Sequence, residues 1–127
     1  MAAAVKTLIS GSRNLHINIT GVFAVADETD TVVIDKSLLV NSEGEEPSKI
    51  RIDEITYSMV NYNYILLEWD TATDEVIEYL AGEGIFDYVE SGGKNPTAVD
   101  GTGDILLTSS GGAAGGSYSI LLKATLK

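Results

Sequence analysis

Cysteine is absent from the 127 residues, which removes disulfides, thiolate metal sites and cysteine nucleophiles together. Histidine is almost absent too. His16 is the only one, so a histidine-dependent triad has a single base available. Its same-parity neighbours Asn18 and Thr20 describe a polar strand face, and His16 reads as structural or surface. Lys and Arg total eight against 19 Asp and Glu, a formal charge of −11. Gripping a nucleic-acid backbone needs convergent cations, and an anionic membrane surface repels such a chain. No direct nucleic-acid or membrane partner is expected. No apolar run approaches the ~18 residues of a membrane-spanning helix. Met1 to Val5, followed by Lys6, do not make a signal-peptide core, so folding in the compartment of synthesis is the default.

What is abundant is glycine and short β-prone runs. The 13 glycines concentrate between Gly82 and Gly116 and leave no room there for a long helix. The last segment organises the rest. In Ser117 to Lys127, Tyr118, Ile120, Leu122, Ala124 and Leu126 share one face, while Ser119, Lys123 and Thr125 share the other with Leu121. Such a strand pairs centrally or closes a sheet. Gly103 to Ser109 precedes it, and Gly111 to Gly116 between them read as a hairpin turn.

Earlier in the chain, Val5 to Ser10 suits an edge or entry strand, and residues 1–6 an N-terminal arm. Leu15, Ile17 and Ile19 alternate; Gly21 then leaves two strands or one long bent strand equally open. Lys36 and Ser37 interrupt the apolar run from Thr31 to Val40, and Asn41 to Ser48 is a loop. Ile50 and Ile52 lie on one parity and Ile55, Tyr57 and Met59 on the other. The switch near Asp53-Glu54 marks a β-bulge or a strand passing between sheets. Asn61 to Tyr64 turn the chain into Ile65–Asp70, which suggests an antiparallel hairpin. Trp69, in step with Leu67, reads as a core anchor. Thr71 to Leu80 fits a short helix with capping-box spacing or a strand, and the strand suits its neighbourhood better. The sum is an all-β, antiparallel β-sandwich or barrel of about eight short strands with glycine-rich loops, one domain over residues 1–127.

Candidate chemistry is sparse. Glu68, Asp70, Asp74 and Glu75 form the densest acidic group beside an aromatic residue. Asp100-Gly101-Thr102-Gly103-Asp104 offers oxygen ligands for Ca²⁺ but lacks the EF-hand register and its closing glutamate. The glycine runs do not open a helix and lack the Gly-Lys-Ser/Thr ending of a phosphate loop. No catalytic residue, cofactor or metal is assigned.

Ile52-Asp53-Glu54-Ile55, Leu67-Glu68-Trp69-Asp70-Thr71-Ala72-Thr73, Leu80-Ala81-Gly82 and Gly101-Thr102-Gly103-Asp104-Ile105-Leu106-Leu107-Thr108 resemble a group of small tailed-bacteriophage virion proteins. Ser117-Tyr118-Ser119-Ile120-Leu121-Leu122-Lys123 resembles the C-terminal strand of that group. Asn18-Ile19-Thr20 departs from the Ser-Asp-Gly character expected at that point. The resemblance implies a non-enzymatic virion structural protein made in the host cytoplasm, foremost a decoration or cement protein on the capsid exterior. Its implied partner is the major capsid protein or another virion protein, with self-association as a trimer ahead of a dimer. A head-completion, neck or tail component is the alternative within the class, and a carbohydrate-binding β-sandwich with Trp69 as stacking platform is the alternative outside it. Tyr57, Asn61, Tyr62, Asn63 and Tyr64 around one turn, and Gly111, Gly112, Gly115 and Gly116 in another, are the candidate partner contacts.

Overall fold

The computed structural model describes residues 4–10, 14–23, 27–40, 43–47, 49–71, 73–95 and 101–126. Nine strands lie within them: β1 (Ala4–Ser10), β2 (Asn14–Val22), β3 (Thr31–Ile34), β4 (Ile50–Val60), β5 (Tyr64–Trp69), β6 (Glu75–Leu80), β7 (Glu83–Asp87), β8 (Ile105–Ser110) and β9 (Ser117–Leu126). They form a five-stranded sheet ordered β1-β2-β9-β4-β7 and a four-stranded sheet ordered β3-β8-β5-β6. Every pairing is antiparallel. The arrangement is a sandwich and not a closed barrel. Only β1–β2 and β5–β6 are hairpins; the other connections cross from one sheet to the other. With β1 set aside as an addition, this interleaved order of eight strands in two four-stranded sheets is that of a jelly roll.

The final strand takes the central place its alternation predicts. β9 pairs with β2 on one side and β4 on the other, and its Tyr118, Ile120, Leu122, Ala124 and Leu126 are buried. They meet Leu15, Ile17, Ile19, Ile50, Ile52 and Ile55 from their own sheet and Ile65, Leu67, Trp69, Ile105 and Leu107 from the facing one. Removing this apolar surface from water is the main force holding the two sheets together.

The parity switch in β4 is a bulge between Ile52 and Glu54. It lets Ile50, Ile52 and Ile55 all point inward. The Asp53 carboxylate accepts from the Arg51 guanidinium at 2.9 Å and from the Thr125 hydroxyl at 2.6 Å, which anchors the irregularity to β9. Residues 71–80 contain strand β6 and no helix. Lys36–Leu38 form a 3-10 turn at the interruption after β3.

Three expectations need correction. β4 and β5 are not a hairpin: the turn after β4 carries the chain to the opposite sheet, where β5 pairs with β6 and β8. The loop over Gly111 to Gly116 is likewise a crossover, from β8 in one sheet to β9 in the other. Of the arm at residues 1–6, residues 1–3 lie outside the described residues, while Ala4, Val5 and Lys6 are strand, paired with Thr20, Ile19 and Asn18. Gly21 sits inside a single β2 opposite Tyr118. A Cβ there would come within 2.3 Å of the tyrosine ring, so glycine provides the socket that ring occupies.

Candidate interaction surface

The crossovers bring most of the candidate contacts together at one end of the sandwich. The Ala113 N–H donates to the Asn61 carbonyl at 3.1 Å, and the Asn61 side-chain amide donates to the Ala114 carbonyl at 3.2 Å. The Asn63 N–H donates to the Ser110 carbonyl at 2.9 Å. Asn61 adopts φ 59, a left-handed conformation that asparagine tolerates better than most residues. Gly111 has φ 71, and a Cβ on it would lie 2.3 Å from the Asn63 side chain. Asn61, Tyr62, Asn63, Gly111, Gly112, Gly115 and Gly116 therefore form one interlocked pair of loops. Asn61, Asn63, Gly111 and Gly115 are exposed there, while Gly116 is buried.

A third segment, following β2, completes this end. The Phe23 N–H donates to the Gly116 carbonyl at 2.9 Å, and the Gly112 N–H donates to Asp27 Oδ1 at 3.0 Å. The same Asp27 oxygen accepts from the Ser109 hydroxyl at 3.0 Å. Beneath the loops, Phe23, Tyr62 and Tyr118 pack edge to face, with ring centroids 6.4 Å and 5.5 Å apart. The Tyr118 hydroxyl donates to Glu28 Oε2 in a short hydrogen bond. Burial, then that bond to Glu28, push the Tyr118 phenol far above its ordinary range. The Tyr62 phenol is also raised, by burial first and then by the charges of Glu28 and Asp27. Both phenols stay protonated at neutral pH, Tyr118 as the donor to Glu28. Phe23, Asp27, Glu28 and Tyr118 were not anticipated as members of this end; the only sequence signal is Gly21 against Tyr118, visible once register is known.

Tyr57 and Tyr64 lie elsewhere. Tyr57 stacks on Phe86 at 5.7 Å, Phe86 stacks on Tyr88 at 6.2 Å, and the Tyr88 hydroxyl donates to Glu78 Oε2 of β6 at 2.9 Å. This row closes the side seam between β7 and β6, so Tyr57 belongs to the wall of the sandwich. Tyr64 meets Tyr79 edge to face at 5.2 Å. Trp69 is fully buried in the core and offers no face to a sugar ring. A shallow depression of about 420 Å³ on the outer face of the five-stranded sheet is lined by Thr56, Ser58, Ser119, Leu121 and the exposed Ile85.

The acidic group after β5 divides. Glu68 and Asp74 join Asp30, with carboxylate oxygens all within 4.8 Å of one another. Thr108 Oγ1 lies 3.3 Å from Asp30 and 3.5 Å from Glu68. Burial, then the charges of Asp30 and Asp74, raise the Glu68 carboxyl above its usual range. Asp30, Glu68 and Asp74 are the residues that could hold a cation, one oxygen apiece, against the six to eight oxygens that Ca²⁺ takes. Asp70 serves the opposite end of the sandwich from the interlocked loops. Its Oδ2 accepts from the Thr102 hydroxyl at 2.9 Å, and its N–H donates to the Asp104 carbonyl at 3.0 Å. Asp104 Oδ1 accepts from the Lys36 N–H at 2.8 Å. The residues proposed for Ca²⁺ thus tie loops together, and Asp100 lies outside the described residues. His16 is half-buried on β2, in register with Lys123.

The loop end thus presents side-chain amides, backbone polar groups and a supported tyrosine, an arrangement suited to recognition through shape and hydrogen bonds. No protein-family model, curated protein or solved structure matches this chain.

Proposed function

We propose that this protein is a non-enzymatic virion structural protein, a decoration or cement protein that attaches to the outer surface of a bacteriophage capsid and bridges neighbouring capsomers. The observation that carries the reading is the loop end. Three segments distant in sequence are locked to one another by backbone hydrogen bonds, which leaves exposed Asn61 and Asn63 on a preorganised support. Preorganisation lowers the ordering cost of binding, so a modest contact area suffices for each copy. Many weak attachments across a capsid then add through multivalency. The jelly-roll topology recurs in viral structural proteins and in lectins, and it supports a structural role only as a fold-level analogy. The specific assignment to a phage capsid rests on the resemblance of the short motifs around Ile52, Trp69 and Ile105. Burial of Trp69 removes the aromatic platform on which the sugar-binding alternative depended.

The test is to incubate the purified protein with phage heads stripped of surface proteins and to image the particles. Regular added density at capsomer junctions is the expected result. Density at a single vertex or along a tail would move the protein to the neck or tail, and absence of any density would remove the capsid reading.

A further inference from the structure

The sandwich has four sheet edges, and three of them are guarded. β7 carries Glu83 and Asp87, β6 carries Glu75 and Glu78, and β3 has only the four residues Thr31–Ile34 between Asp30 and Asp35. Charges and brevity are the usual means by which an exposed edge is kept from pairing with another chain. β1 has neither. It runs seven residues, Ala4–Ser10, with a bulge between Thr7 and Ile9 in its pairing with β2; its single charge is Lys6, and among the described residues nothing pairs with its outer side. The contrast extends to the whole chain: every carboxylate side chain lies between Asp27 and Asp104, so β1, β2 and β9 contain none. These strands are neighbours in the five-stranded sheet, so three adjacent strands of a molecule of charge −11 carry no acid.

The seam beside β1 also differs from its counterpart. At β6 and β7 the Tyr57–Phe86–Tyr88 row shuts the gap between sheets. Between β1 and β3 there remains a groove of about 260 Å³, lined by Val5, Thr7, Leu15, Ile17, Ile34 and Leu38 among others, with Asp35 the one acidic residue among the described residues of its walls. Leu38 is 80% exposed and Val5 43% exposed at its rim.

We propose that the occupant of this edge is a second copy of the same chain, its β1 pairing antiparallel with the first across a twofold axis. An isologous contact sets each patch against itself, so a patch rich in carboxylates repels its own image. In this chain β1 is the edge strand whose own residues and sheet neighbours β2 and β9 carry no acid to set against its image. A twofold axis at Thr7, the last residue before the bulge in β1, sets each Thr7 beside its image and Lys6 against the bulged stretch of the other copy, with no like charges directly paired. The two five-stranded sheets then continue into each other, and Val5 and Leu38 contribute apolar surface along the join. A strand-edge contact of this length is small against a standard interface, so the dimer is reversible with a Kd of roughly micromolar order. The pairing closes at two copies, where the resemblance to decoration proteins implies three. It stands independently of the capsid reading.

Sedimentation equilibrium on the full chain tests it. The wild type is expected to reach dimer mass as concentration rises, with added salt favouring the dimer by screening the net charge. Val5→Glu combined with Thr7→Glu sets carboxylates against their images and is expected to weaken dimerisation roughly tenfold or more. Because the chain has no cysteine, Thr7→Cys is expected to give a disulfide-linked dimer on mild oxidation, while Ile85→Cys on β7 does not. The cysteine pair decides the matter even if the double glutamate variant fails to fold. A wild type that stays monomeric, a trimer mass, or a cross-link at Ile85→Cys in place of Thr7→Cys would each overturn the proposal.

Discussion

At the residue scale, stability depends on a few side chains in unusual settings. Tyr118 fills the space over Gly21 and donates to Glu28, whose other carboxylate oxygen, Oε1, is buried without a partner among the described residues. Tyr118→Phe leaves that carboxylate without its donor, and urea denaturation is expected to show a loss of about 1–3 kcal/mol. At Gly111 the constraint is the backbone: φ is 71, and the Asn63 side chain occupies the space a Cβ would need. Gly111→Ala is expected to cost about 1–3 kcal/mol in the same measurement. The Glu68 carboxyl is shifted upward on folding. Its folded-state pKa is raised, chiefly by burial and then by Asp30 and Asp74, so the native state binds its proton more tightly than the unfolded chain does. The stability associated with that proton is fully present below the unfolded pKa and is lost as pH rises through the folded one. Glu68→Gln is therefore expected to melt higher than the wild type at pH 7, by about 0.5 kcal/mol equivalent. The difference should close as the pH falls to where Glu68 is protonated in both states.

At the element scale the centre of the molecule is β9. It joins β2, which precedes it by about a hundred residues in the chain, to β4. Tyr118, Ile120, Leu122 and Leu126 are all buried along it. At about 1.5–3 kcal/mol for each large apolar side chain, their loss rivals the whole stability of a domain. A chain ended before Ser117 is expected to lack the cooperative thermal transition of the full protein, as followed by circular dichroism. This strand is legible in sequence because its alternation, broken only by Leu121 on the outer face, leaves one arrangement of faces, and the parity switch at Asp53 leaves a bulge as one of two readings, the one the structure shows. The crossovers were not. Asn61–Asn63 and Gly111–Gly116 have the composition of hairpin turns, and neighbours in sequence usually become neighbours in a sheet. Which sheet a strand joins depends on packing between distant segments, and turn composition does not carry that information. The assembly of Phe23, Asp27, Glu28 and Tyr118 under the candidate loops was hidden for the same reason. Tyr57 and Tyr64 were grouped with the turn because they flank it, yet alternation and register send them to the side seam and to a contact with Tyr79.

At the scale of the whole molecule, the core is closed by apolar packing, one loop end is held rigid, and the acidic residues are confined to the middle of the chain. A single tryptophan buried at the centre makes the integrity of that core directly observable. Native Trp69 emission is expected to be blue-shifted, and its unfolding curve should coincide with that of far-ultraviolet circular dichroism, as a single cooperative unit requires. The proposed role needs such rigidity, because each attached copy contributes only what its preformed end can bind. Co-sedimentation with stripped phage heads tests that role most directly. The account predicts saturable binding at a fixed number of copies per head, with Asn63→Ala, at an exposed position whose backbone holds the loop, weakening it while leaving the circular dichroism spectrum unchanged. Failure to co-sediment at any concentration, or undiminished binding by a correctly folded Asn63→Ala protein, would contradict it.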